Sequence, residues 1–216
     1  MKKLISLFLS VSVLLLAACS KQPDTASSEQ KNDAAGLQTV VIASTGSDAD
    51  IWRHIASLPE TKAAGIKLEV KNFTDYVAMN TAVANKEVDL NAFQSYAYLV
   101  AFNAANKDKI APVSTTYLEP MGIYSNKVKK VEQFAQGATI AIPNDGANES
   151  RALLLLQSAG LIKLKPDFDP VKGTPADIIE NSKKIVIKPI QMATAVRVKD
   201  EVDAILLGNT LAMEGG

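Results

Sequence analysis

Residues 138–160 read ATIAIPNDGANESRALLLLQSAG, and the reading of that stretch decides the fold. Ala138 to Ile142 is a short apolar run with β-branched Thr139, Ile140 and Ile142, the composition of a strand. Pro143-Asn144-Asp145-Gly146 stops it, because proline cannot donate to a sheet and the three residues after it favour turns. Asn148 to Ala159 then predicts a helix that closes at Gly160, a residue able to take the left-handed conformation that ends many helices. A strand, a tight turn and a helix in that order form half of a βαβ unit.

Outward from this stretch the pattern recurs. Thr39 to Ala43 predicts a strand, Ser44 to Asp48 a polar turn, and the following residues a helix through about Leu58. Ile66 to Val70 and Val88 to Ala92 read as further strands, with helices at Thr74 to Asn85 and Gln94 to Asn106. Thr116 to Tyr124 reads as an extended crossover broken by Pro120. Beyond it come a short helix at Val131 to Phe134, a helix at Thr174 to Asn181, and last strands at Ile185 to Ile187 and Ala204 to Leu207. Strands alternating with helices predict largely parallel sheets. The chain thus divides into a first α/β lobe, 37–117, and a second, 118–207, with a cleft between them. In open α/β sheets ligands sit beyond the carboxyl ends of the strands, so the residues just after each strand are where function belongs.

Composition narrows the classes. The chain has 216 residues, 47% hydrophobic, with 23 basic and 23 acidic side chains. With no net charge to draw it onto a phosphate backbone, nucleic acid is a poor partner. The single cysteine, Cys19, can build neither an internal disulfide nor a cysteine-ligated zinc site. The single histidine, His54, excludes paired-histidine metal motifs and leaves little for acid–base work at neutral pH. Asp50, four residues before it, predicts a helical surface pair. No G-x-S-x-G elbow, P-loop or G-x-G-x-x-G occurs, so no enzymatic activity and no cofactor is expected.

The amino terminus has a signal-peptide profile over residues 1–18: Met1-Lys2-Lys3, then a run from Leu4 to Ala18 that is apolar apart from three serines. It is shorter than the roughly 20 residues of a spanning helix and ends in Leu16-Ala17-Ala18-Cys19, which resembles a bacterial lipobox. That resemblance implies cleavage before Cys19 and lipidation of its sulfur. Residues 19–36 hold the lipidated cysteine and a stretch without large apolar side chains, Ser20 to Gly36, which reads as a flexible tether spanning on the order of 20 Å.

Two constellations could carry function. The first backbone N–H groups of the helix after Asp145 favour an anion, and Arg151, in the first turn by this reading, can grip a carboxylate through two parallel hydrogen bonds. Arg151 is equally readable as a surface arginine paired with Glu149 or another carboxylate. Tyr76 follows one strand, and Phe93, Tyr96 and Tyr98 follow another, so these rings can line one cleft wall or serve as core. Such a wall suits a thioether, which aromatic rings attract by about 0.3–1.5 kcal/mol. Trp52, beside Ile51 and Ile55, reads as core.

Thr74-Asp75-Tyr76-Val77, Asp89-Leu90-Asn91-Ala92-Phe93-Gln94, Pro120-Met121-Gly122-Ile123-Tyr124-Ser125, and Ile142 to Asp145 with Asn148, Arg151 and Leu153 to Lys165 resemble the NlpA/MetQ family of methionine-binding lipoproteins. The resemblance runs from about Thr39 to the last residue. It implies a type II periplasmic-binding-protein fold and a monomer, held to the membrane by its lipid, that delivers methionine, a related amino acid or a short peptide to an ABC permease. Carried over by motif, Arg151 would bind the ligand carboxylate, Asn148 would hydrogen-bond in the same loop, and Tyr76, Phe93 and Tyr98 would enclose the side chain. Asn209 stands near a family asparagine and joins the ligand set. The family commonly has histidine two residues after the matched phenylalanine, where this chain has Ser95. Family members also continue into a segment that returns to the first lobe. The resemblance therefore implies that the C-terminal part is missing here, with 208–216 starting that return.

Two other classes stay open. One is a surface structural lipoprotein whose pocket, lost through truncation, no longer binds. The other is an enzyme on the same fold, which would need a nucleophile or histidine in the cleft.

Overall fold

The computed structural model describes residues 36–107 and 109–215, all within one compact unit. Cys19, its lipobox and nearly all of the tether lie outside the described residues.

The first sheet is built from β1 (Gln38–Ser44), β2 (Ile66–Asn72) and β3 (Leu90–Asn91), in the order β2-β1-β3 and parallel throughout. β1 pairs along its whole length, Gln38 opposite Ile66 through to Ser44 opposite Asn72. Its central place matches the run Val40-Val41-Ile42, since a strand flanked on both sides needs no polar alternation. β2 is an edge strand and does alternate: Ile66, Leu68 and Val70 are half-buried while Lys67 and Glu69 form an exposed ion pair at 2.8 Å. The crossovers are α1 (Gly46–Ser57) with α2 (Pro59–Ala63), then α3 (Tyr76–Ala84); α4 (Tyr96–Ala105) follows β3.

After a stretch whose described residues hold no helix or strand through residue 120, the second sheet forms from β4 (Met121–Tyr124), β5 (Thr139–Pro143), β8 (Val186–Ile190) and β9 (Ala204–Gly208). Its order is β4-β9-β5-β8, with β5 parallel to β8 and β9, and β4 antiparallel to β9. β6 (Lys163–Leu164) and β7 (Ile178–Glu180) form a separate antiparallel ribbon. α5 (Gly146–Ser158) follows β5 and α6 (Asn209–Glu214) follows β9.

The larger core lies under α5, where Ala152, Leu153 and Leu156 share one face and meet Ile140 and Ile142 of β5 and Leu206 of β9. Leu153 and Leu156 are both 0% exposed, and burying each contributes about 1.5–3 kcal/mol. The helix ends as its sequence implies. Gly160 sits at φ 71°, its N–H bonds to the Gln157 carbonyl, and that of Leu161 reaches back to the Leu156 carbonyl.

Three expectations need correction. The helix expected over Thr174 to Asn181 is a single tight turn, Pro175–Asp177, followed by β7. The Asp177 carboxylate accepts the Thr174 N–H at 2.7 Å and closes the turn on itself, while the β-branched pair Ile178-Ile179 favours pairing with β6. Arg151 is not in the first turn of its helix: with Asp145 as cap, α5 begins at Gly146 and Arg151 falls in the second turn. Asp50 pairs with Arg53 rather than His54, because a permanent cation three residues away is a better partner than a histidine four away.

Candidate functional site

The segments after β2, β5 and β8 and the start of α4 turn toward one region. Asp75 ends the connection from β2 and caps α3, its carboxylate accepting the Ala78 N–H at 2.7 Å, which fixes Tyr76 as the first helical residue. Ser95 caps α4 by accepting the Tyr98 N–H at 3.2 Å. The departure at this position therefore has a structural use, since serine is a far better cap than most residues. Asp145 caps α5, accepting the Asn148 N–H at 3.1 Å and the Asn148 side-chain amide at 3.2 Å.

Tyr76, Phe93 and Tyr98 come together as a ring cluster. Centroids lie 5.3 Å apart for Tyr76–Phe93, 5.6 Å for Phe93–Tyr98 and 6.3 Å for Tyr76–Tyr98, the latter two edge to face. These are the favoured aromatic geometries. Beneath them a buried amide network holds the loop after β3. The Asn80 side-chain carbonyl accepts from Asn91 at 2.8 Å and from Gln94 at 2.7 Å, and its amide donates to Gln94 at 3.0 Å. Asn80 is wholly buried with its side-chain carbonyl and amide both bonded, so the network rigidifies the loop that carries Phe93.

A cavity of about 230 Å³ opens between the two sheets' strand ends. The first sheet's side supplies Thr74, Asp75, Tyr76, Val77 and Tyr98, and the second's supplies Asn144, Asp145, Gln191 and Met192. Its volume is below the roughly 300–1,000 Å³ of drug-sized pockets, which fits a small solute. Burial pushes the Tyr98 hydroxyl up to about 12, with Asp145 and Asp75 nearby adding to the effect. Burial also raises the Tyr76 hydroxyl, with the negative charge of Glu119 and Asp145 contributing. Asp145 is raised by burial as well, partly offset by its two bonds from Asn148.

The expected site residues divide. Tyr76 and Tyr98 line the cavity. Phe93 stands behind them against the first sheet's core. Asn148 reaches the cavity edge through Asp145. Arg151 and Asn209 do not line it. The Arg151 guanidinium donates to the Glu119 backbone carbonyl on the crossover, not to Glu149. Asn209 is exposed, with its N–H on the Pro120 carbonyl at 3.0 Å and its side-chain amide 3.6 Å from the Met213 sulfur. Sequence reasoning passed over Asp145, Gln191 and Met192. Asp145 stood in plain view as a turn residue, whereas Gln191 and Met192 lie just past a strand that was expected to end at Ile187 and runs on to Ile190. Pro189 within it is tolerated because β8 is an edge strand.

Two α/β sheets meeting strand ends across a small cavity define a periplasmic-binding-protein-like fold, the architecture of proteins that enclose a small solute. The chain belongs to the NlpA lipoprotein family, whose sequence profile matches residues 39–216. Among its relatives, a probable D-methionine-binding lipoprotein MetQ of Pasteurella multocida is 35% identical over 99% of this chain and 76% of its own length. Outer membrane lipoprotein 2 of Mannheimia haemolytica is 37% identical over 100% of this chain and 77% of its own. Among solved structures, a nutrient-binding protein from Burkholderia cenocepacia bound to methionine superposes with a TM-score of 0.78 at 35% identity, over 82% of this chain and 74% of that one. The substrate-binding protein of a methionine transporter from Streptococcus pneumoniae gives 0.75 at 41% identity, over 82% and 70%. The chain thus spans about three quarters of the length of these relatives.

Proposed function

We propose that this chain is the substrate-binding protein of an ABC importer, capturing methionine or a related amino acid or short peptide and delivering it to a permease without chemical change. The observation that carries the reading is the cavity itself, small and walled on one side by Tyr76 and Tyr98 and on the other by the loop that starts α5. Methionine sits in the Burkholderia relative and the Streptococcus relative serves a methionine transporter, which supports the ligand class. The relatives' description as lipoproteins supports a membrane anchor; in this proposal the lipid is carried by Cys19 and the folded body is a monomer facing away from the cytoplasm.

In this proposal the ligand's thioether rests on Tyr76 and Tyr98 with Phe93 behind them, and Asn148 holds the loop through Asp145. Arg151 takes the ligand carboxylate. A guanidinium has five N–H donors, so the bond to Glu119 leaves others free, and Asn209, the first residue of α6, bonds the adjacent Pro120 carbonyl. Titration calorimetry of the full chain against the twenty amino acids tests the function. Saturable binding of methionine or a close relative is expected, and a folded preparation that binds none would overturn it. Arg151→Glu is expected to lower affinity by at least about a hundredfold, since a buried charge pair becomes a repulsion. Unchanged affinity would remove Arg151 from the site.

A further inference from the structure

Tyr76, Phe93 and Tyr98 stand on three different segments, and one buried amide cluster reaches all three. Asn80 lies one turn beyond Tyr76 on α3, so the two share a helix face. Asn91 and Gln94 flank Phe93, which lies outside any helix or strand. Gln94 also directly precedes Ser95, the cap that accepts the Tyr98 N–H at the start of α4. The Asn80 amide donates to Gln94 at 3.0 Å, and the Asn80 carbonyl accepts from both Asn91 and Gln94, its full capacity. The Gln94 amide gives a further bond to Asn91 at 3.0 Å, and the Asn91 amide one to the Met79 carbonyl at 3.4 Å. Of the wholly buried polar residues among those described, Ser44, Asn80 and Ser150, two serve this loop, since the Ser44 hydroxyl donates to the Ala92 carbonyl at 2.8 Å. An apolar side chain would fill the place of Asn80 without the cost of drawing an amide out of water, so what the amide supplies is one fixed arrangement of its partners.

We infer that Asn80 is a positioning residue for ligand selection: without lining the cavity, it locks the segments that carry Tyr76, Phe93 and Tyr98 into one wall whose shape sorts ligand side chains. Tyr76 and Tyr98 line the cavity and Asn80 does not. The Phe93 ring lies 5.3 Å from that of Tyr76 and 5.6 Å from that of Tyr98, so a shift of its loop carries to both lining rings. A wall already fixed loses little freedom on binding and discriminates by fit, whereas a loosened one repacks around several side chains. The selection of ligands rests on the reading of the chain as an amino-acid-binding protein; the locking of the rings does not.

The test uses the full chain as wild type and as Asn80→Ala. Gln94→Met, which removes the amide facing Asn80 from a less buried position and keeps the side-chain length, repeats it should the alanine variant fold poorly. Leu164→Ala, in the core under α5 and outside the amide cluster, is the control for lost stability alone. Near-ultraviolet circular dichroism without ligand reads the packing of the tyrosines, and titration calorimetry with L-methionine and L-leucine reads selection. Both amide variants, folded by far-ultraviolet dichroism, are expected to show a weaker tyrosine band and a methionine-to-leucine affinity ratio lower by about fivefold or more, and the control to keep the wild-type band and ratio. An unchanged tyrosine band, or an unchanged ratio where wild type binds methionine, overturns the positioning role while the function stands. A control that shifts the ratio as far as the amide variants overturns it too, because stability alone then accounts for the effect. If wild type binds neither amino acid, the proposed function fails, and the tyrosine band alone decides whether Asn80 locks the rings.

Discussion

Two aspartates show how this chain uses the same side chain in opposite ways. Asp145 is raised by burial beside the cavity, whereas Asp203 is held below its ordinary value by the Thr139 N–H, which it accepts at 2.7 Å, and by Lys127 at 3.1 Å. Asp203 therefore stabilises the fold above its unfolded-state value of 3.8, and that stabilisation is lost as pH falls through the lower folded value. Denaturant titrations of Asp203→Asn across pH are expected to show a deficit against wild type at neutral pH that vanishes in strong acid. A deficit independent of pH would mean that the ionised carboxylate is not the stabilising species. Ser95→Ala removes the α4 cap and is expected to cost about 1 kcal/mol by the same method. At this scale the sequence was legible where a residue type has one strong use. From their place after strand ends Tyr76 and Tyr98 were readable equally as cleft wall or core, and only the family resemblance favoured the wall, where both stand; Asp145 passed as a turn residue since aspartate caps and aspartate in cavities look alike.

Among the elements, β5 and α5 show the closest agreement between pattern and structure. A strand of β-branched residues, a proline stop and a glycine at φ 71° leave one conformation compatible with all three signals. Leu153→Ala, at a site with 0% exposure packed on Ile140 and Ile142, is expected to cost about 3 kcal/mol or more in chemical denaturation. A loss below about 1 kcal/mol would show that α5 does not seal this core. Both sheets were legible as largely parallel βαβ architecture, though not the antiparallel edge strand β4 of the second. The misread element is the one decided by a distant partner: β7, expected as the end of a helix, pairs with β6. That partner is not near in sequence, so local propensity could not choose between the alternatives.

Across the whole molecule, the first sheet's side is tied to the crossover and to the second sheet's side away from the cavity lining: the Tyr117 hydroxyl donates to Asp48 at 2.6 Å, and Glu214 on α6 accepts the Ser47 N–H at the start of α1. Tyr76 packs against buried residues of both sheets. The cleft's place, after the strand ends, was readable from the alternation of strands and helices. Its lining was not, because which strand ends face each other depends on how the crossover at 106–120 folds back. The central claim is that a small amino acid occupies this cavity against the aromatic wall. The most direct test is titration calorimetry of L-methionine into the full chain and into Tyr98→Ala, with circular dichroism confirming that both are folded. The account predicts saturable one-site binding to wild type, weakened at least about tenfold in the variant; equal affinity for the two proteins would contradict it.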